Sequence, residues 1–314
     1  MTFKGSRKIL QGKSKIILAV IVVGLVVIGA VLFLNRTSEP EIVMEHVHGL
    51  GYTADGKLVT PAHDGLRVYA DGEWSIPEGE KHDYMGFSMV DEGFYSSGHP
   101  APGSDRINPF GVVKSTDLGQ TLETLDLEGE ADFHGMSVGY KTHTIYVINP
   151  EPNSQMDAVG MYYTQDETKT WKKSDMQGLT EELTTLAAHP TEDAVIAVGT
   201  NTGVFLSEDY GHTFKKINDT VQVTSLYFSP QGELFVGGVN QGPKFFQLDL
   251  QSGETTPVNL PPLNDDAVMY IAQSTEGEEL AFVSFNLHMY VTNDQGENWK
   301  QIVNDGKGIS GESG

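Results

Sequence analysis

Two of the ten histidines in this 314-residue chain stand in a His-x-His step, His46 and His48. Side chains two apart on an extended strand project from the same side, so this step can present two imidazoles to one ion or ligand. His63-Asp64, Asp83, His99, Arg106, the Asp132-x-His134 step and Asp157 follow downstream. His46, His48, His63, His99 and His134 are candidate ligands of a transition metal, and with Arg106 they are candidate ligand-binding groups. Asp64, Asp83, Asp132 and Asp157 are candidate catalytic carboxylates, because cleaving a glycosidic bond needs an acid and a second carboxylate at a suitable separation. Met44, Met85, Met89 and Met136 would suit a soft ion such as copper(I), although methionine is also a core filler. The same His and Asp residues fit a plainer role as well, hydrogen bonding to exposed strand ends.

What must position these groups is a repeat. Ser115-Thr116-Asp117-Leu118-Gly119-Gln120-Thr121-Leu122 recurs as Thr164–Trp171, Ser207–Phe214 and Thr292–Trp299, reducing to Ser/Thr-x-Asp-x-Gly-x-Thr-aromatic. Successive aspartates, Asp117, Asp166, Asp209 and Asp294, are separated by 49, 43 and 85 residues, so one copy has decayed in the last interval. Leu248–Thr255 keeps an Asp and a Gly there, and Val68–Trp74 is a shortened sixth copy. The pattern describes a tight hairpin: Asp accepts from backbone N–H groups of its own turn, Gly119, Gly211 and Gly296 supply positive φ, and the aromatic (Trp171, Trp299) packs over the turn. A period of this length repeated six times predicts an all-β, six-bladed propeller. Inner strands are expected near 46–52, 83–90, 132–140, 183–189, 222–229 and 267–273.

The repeat resembles the Asp-box, or BNR repeat, of sialidases, sortilin-type receptors and photosystem II assembly-factor propellers. The resemblance implies a hairpin between the third and fourth strands of each blade, and members of this kind often carry a glycosyl hydrolase name. Sialidase chemistry in that family uses three arginines on the substrate carboxylate. After residue 36 this chain has only Arg67 and Arg106 and no Arg-Ile-Pro motif, so a sialidase is excluded.

The blades differ in a way that bears on function. On the inner strands, His46, Asp83 and Asp132 precede the steps His48-Gly49, Met85-Gly86 and His134-Gly135, whereas blades four and five are expected to carry Thr184 and Thr224 at the matching positions. The bends between second and third strands hold His63-Asp64, His99 with a long Pro/Gly loop, and 150–158 in blades one to three, against Asn201, Asn240 and Asn286 in the others. A polar site is therefore expected on one face of blades one to three.

The first residues are a separate object. Lys4, Arg7, Lys8, Lys13 and Lys15 precede an uncharged apolar run, residues 16–34, and no acidic residue occurs before Glu39. Nineteen residues at ~1.5 Å each span about 28 Å, enough for a bilayer core. The charge placement predicts a cytoplasmic N-terminus and an extracellular body; a cleaved signal peptide is the competing reading. The expected organisation is a basic tail 1–15, an anchor 16–34, a linker 35–45, the propeller 46–303 and a flexible tail 304–314. Only 14 of the 20 basic residues lie in the body, against all 43 acidic ones, which excludes nucleic acid as a partner. There is no cysteine for a disulfide or a lipid. No phosphate loop, serine nucleophile elbow or helical metalloprotease motif occurs. The reading is a membrane-anchored binding or assembly module for an extracellular protein, peptide or glycan. A non-sialidase glycoside hydrolase and a His/Met metal-binding envelope protein stand as alternatives.

Overall fold

The structure, a computed structural model, describes residues 41–310. The expected basic tail and anchor lie outside the described residues, and no helix among those described is long and apolar enough to cross a membrane. Leu58–Ala62, Ile196–Thr200, Gly203–Ser207 and Leu280–Ser284 are buried along their whole lengths. Such continuous burial arises when a strand is covered on both faces, unlike the alternation of a half-exposed sheet. These strands lie in the middle of six antiparallel sheets, five with four strands and the last with five. The first strands are Gly51–Tyr52, Asp83–Val90, Met136–Val138, Leu183–Ala188, Gln222–Phe228 and Val268–Gln273. Each packs beside the next, and the sixth returns to the first, so the sheets form the blades of a six-bladed β-propeller. Outer strands such as Lys172–Lys173 and Thr255–Pro257 face water.

The repeated octapeptides form the hairpins between third and fourth strands. Asp117 Oδ1 accepts the Thr121 N–H at 2.9 Å while Oδ2 accepts its hydroxyl at 2.7 Å, and the Ser115 hydroxyl accepts the Gly119 N–H at 2.9 Å. Asp166, Asp209 and Asp294 repeat the arrangement on Thr170, Thr213 and Asn298. The turn needs two consecutive positive φ angles, 56° and 79° at Leu118-Gly119, which explains the glycine. In the second copy Thr168 takes that conformation at 71°. Asp249 still caps its longer turn, accepting the Gln251 and Ser252 N–H groups, and Asp71-Gly72 turns with φ of 53° and 86°.

The closing aromatic does more than cover its own turn. Trp171 donates Nε1–H to Asp126 of blade two at 3.0 Å, Trp299 to the Asn259 carbonyl after blade five at 2.7 Å, and Trp74 to the Ile302 carbonyl of blade six at 2.9 Å. Each tryptophan thus ties its blade to the preceding one. The apolar core is divided in the same way, one cluster in each seam between neighbouring blades.

Ring closure extends the body past the bounds expected from sequence. Ile42 and Met44 are buried, Val43 bridges Lys307, the Met44 N–H donates to the Gly306 carbonyl at 2.7 Å, and the Gly308 N–H donates to the Ile42 carbonyl at 2.9 Å. Residues expected to be linker and tail therefore form the outer edge of blade six, beside Lys300–Asn304 and Lys307–Gly308. The buried Arg67 guanidinium reaches the Val43 carbonyl at 3.1 Å and pins this strap to blade one.

Candidate functional site

Asp83 opens the inner strand of blade two, and its side chain is only 10% exposed. It reaches back to blade one, where His63 Nδ1 lies 2.8 Å from Oδ2 and His48 Nε2 lies 3.4 Å from Oδ1. His63 sits on the tight bend between Ala62 and Gly65, and His48 is held by its own N–H on the Pro61 carbonyl at 3.1 Å. The bend between second and third strands and the start of the inner strand therefore share one face, as the sequence implied. His46 is exposed, its ring 6.2 Å from that of His63.

The arrangement recurs one blade on with different chemistry. His99 is the cross-strand partner of Asp83, yet its ring turns to blade three, where its Nε2 lies 3.1 Å from Asp132 Oδ2. His134 Nε2 lies 2.8 Å from that same oxygen. Asn108 fixes the other side of the His99 ring, with Oδ1 2.7 Å from Nδ1. Asp83 Oδ1, His48 Nε2 and Asp132 Oδ1 are shielded from water and have no hydrogen-bond partner. Burial lowers the His48 pKa, an effect that Asp83 opposes and His134, His46 and His63 reinforce, so its imidazole is neutral at pH 7.

Other expected residues are employed elsewhere. Arg106 donates to the Thr124 hydroxyl at 3.1 Å and to the Leu122 carbonyl, so it clamps the long loop onto the outer strand of blade two. Asp64 is ion-paired to Arg67 at 2.5 Å, and Asp157 accepts from the Tyr162 hydroxyl at 3.2 Å. Both shape loops. Met44 and Met136 are core residues of the seams, and Met89 packs against another.

The expected match of Thr184 and Thr224 to Asp83 is shifted by bulges. Both threonines stand at the register breaks of their strands, level with the break at Gly86-Phe87, and their hydroxyls donate to the next blade's Val223 and Val268 carbonyls. The true counterparts of Asp83 are Glu181, Val221 and Asp266, two residues before Leu183, Val223 and Val268. Glu181 is engaged by Thr202 and Lys216, and Asp266 caps the Ala267 and Asn286 N–H groups. His288 stands on the matching bend of blade six, 3.6 Å from Asp305 of its own blade, so what distinguishes blades one to three is the convergence of histidines on Asp83 and Asp132 across the seams.

Sequence reasoning passed over His82. It is 2% exposed, its Nδ1 accepts the Ala101 N–H at 2.9 Å, and its Nε2 lies 3.1 Å from Glu80. These contacts hold the long loop that presents Asn108 and so His99. Its place immediately before Asp83 was the available signal. His189, 8% exposed, similarly accepts the Glu192 N–H at 3.1 Å in blade four.

Burial lowers the pKa of both His82 and His189 below the ordinary imidazole value, with Glu80 and Glu192 opposing. Their protons are taken up more readily in the unfolded chain, so acidification from pH 7 through 6.5 favours unfolding. Each group can contribute a slope of up to about 1.4 kcal/mol per pH unit. Asp294 acts in a separate window: bonds from Thr292 and Asn298 hold its pKa at about 2, so its contribution fades only in strong acid. Denaturant midpoints should therefore fall between pH 7.5 and 5.5, and the His82→Gln, His189→Gln double variant should show a shallower decline. An unchanged slope in that variant would assign the decline to other groups.

A central cavity of about 360 Å³ runs inside the ring, lined by the inner strands of all six blades, with His48 and His134 at one end and Tyr52, Tyr140, Tyr227 and Gln273 towards the other. Fold and site together define a six-bladed propeller with a histidine–aspartate face at the mouth of its channel. No protein-family model matches the chain, and no curated protein matches it in sequence. Among solved structures it is similar to the extracellular domain of BT4673 from B. thetaiotaomicron, with a TM-score of 0.51 and 16% identity, covering 88% of this chain but only 35% of that one. It is also similar to oligogalacturonate lyase from Vibrio parahaemolyticus, with a TM-score of 0.53 and 13% identity, covering 85% of this chain and 80% of that one. At such identities the likeness shows the fold alone.

Proposed function

We propose that this chain is an Asp-box propeller anchored in the cytoplasmic membrane by residues 16–34, whose body lies outside the cell and binds a protein, peptide or glycan on the face of blades one to three. The observation that carries the reading is the convergence of His48, His63 and His99, His134 on Asp83 and Asp132 at the channel mouth, with His63 and His134 left 62% and 68% exposed. Asp83 on its inner strand, His99 at the end of the second strand of blade two and His63 on the short bend are held by the sheets, while His48 and His134 sit just ahead of inner strands, so a partner meets a largely preformed polar surface. Two of the four carboxylates that a glycosidase reading could use, Asp64 and Asp157, are committed to loops, which favours binding over hydrolysis.

The full-length chain in mild detergent is the material for the test, screened against a glycan array and a peptide library. Binders should lose at least tenfold in affinity to the His99→Ala and His134→Ala variants and be recovered with unchanged mass. Recovery of a shortened glycan, abolished by Asp132→Asn in a folded protein, would replace this reading with the hydrolase. External protease that leaves the body intact on whole cells, yet digests it after lysis, would overturn the proposed topology.

A further inference from the structure

We infer that His48, His63 and Asp83 form a binding site for one divalent transition-metal ion of the zinc class, with a fourth position open to the partner on the loop-rich face. The inference deepens the proposed binding face and rests on it for the role of that open position.

The geometry around Asp83 is incomplete without a further atom. Oδ2 is served by His63 Nδ1 at 2.8 Å, but Oδ1 and His48 Nε2 face each other at 3.4 Å, both shielded from water and neither hydrogen bonded. A buried polar atom left unpaired is costly, and here two lie side by side. Zinc–nitrogen and zinc–oxygen bonds of about 2.0–2.1 Å at tetrahedral angles separate ligand atoms by about 3.3–3.4 Å. The His48–Asp83 separation is therefore one edge of such a tetrahedron. The ligand atoms of His48, His63 and Asp83 all lie within 4.8 Å of one another. His63, with its side chain 62% exposed, can exchange its hydrogen bond for a coordinate bond by a small ring rotation.

Donor chemistry selects the ion. Two imidazoles and one carboxylate suit zinc, whereas calcium and magnesium take oxygen ligands almost throughout. Copper(I) would want the thioethers, but Met44 and Met136 are consumed by the seams. Three protein ligands leave one tetrahedral position for water or for an anionic group of the partner. The neighbouring Asp132 differs, since His99 and His134 both close on its Oδ2.

Calorimetric titration of zinc into the full-length chain, chelator-stripped and without a polyhistidine tag, tests the site. One ion per chain is expected, with affinity lowered at least tenfold in His63→Ala and in Asp83→Asn. Cobalt(II) should give the intense visible bands of a tetrahedral complex, lost in the same variants. His212→Ala removes a histidine paired with Asp175 in blade four and should leave the titration unchanged. Because His63 is exposed, an unaltered metal-free melting curve for His63→Ala would separate lost binding from lost folding. Absence of zinc binding, or binding indifferent to both substitutions, overturns the inference. If zinc fails while array binders still depend on His134, the binding face stands without a metal; if zinc binds and no array binder is found, the metal site stands and the proposed partner class falls.

Discussion

Trp74→Ala should lower the stability of the propeller by about 3–5 kcal/mol, the range for emptying a buried aromatic site. Trp74 is 5% exposed, packs at 5.1 Å from the Tyr69 ring, and bonds the Ile302 carbonyl across the seam where blade six meets blade one. The rest of that seam is also noncovalent. Tyr52 donates to Glu279 at 2.6 Å, Lys300 to the Tyr69 hydroxyl at 2.9 Å, and the Ile42–Met44 strap lies along the edge of blade six. With no cysteine to staple the ends, losing the indole leaves a cavity and removes one bond across the seam, the Ile302 carbonyl keeping only the Ile309 N–H at 2.8 Å. Trp74→Phe keeps most of the packing and should cost only about 1–1.5 kcal/mol beyond the change in ring size. Guanidinium unfolding followed by circular dichroism measures both, and a Trp74→Ala midpoint equal to that of the parent would show that this seam does not hold the ring together.

Gly86→Ala is expected to cost about 3 kcal/mol and to weaken the site at the same time. Gly86 sits in the bulge of the blade-two inner strand at φ 49°, and a Cβ there would lie 2.2 Å from the Phe133 carbonyl oxygen and 2.9 Å from Met136 Cβ. Phe133 stands between Asp132 and His134, so relieving the clash must move that segment relative to Asp83, three residues before the glycine. Gly56→Ala is the matching control: φ is 81°, but nothing lies within 4 Å of the added atom. It should carry only the left-handed backbone cost of about 1–2 kcal/mol. The difference between the two unfolding free energies isolates the clash, and equal costs would mean that the seam between blades two and three yields freely.

The sequence alone determined the blades and the spacing of their turns. The Asp117, Asp166, Asp209 and Asp294 hairpins are written in eight consecutive residues because the bonds by which the aspartate and the leading hydroxyl cap each turn close within that length. The inner strand expected at 83–90 is the one observed, Asp83–Val90, bounded by groups that are local in the chain. Tertiary structure alone decided who meets whom across the seams. His48 and His63 meet Asp83, His99 meets Asp132, and the tryptophans reach the preceding blade, all through the radial packing of sheets rather than any periodicity along one strand. Arg106 turned away to Thr124, and bulges at Thr184 and Thr224 shifted the matching of inner strands, because an inserted residue leaves no mark in an alternation already broken by small residues. From sequence, residues 42–45 could add an outer strand to the last blade or simply lead into the first, and tertiary structure decided for the former: a short apolar stretch is defined as a strand only by the edge that accepts it.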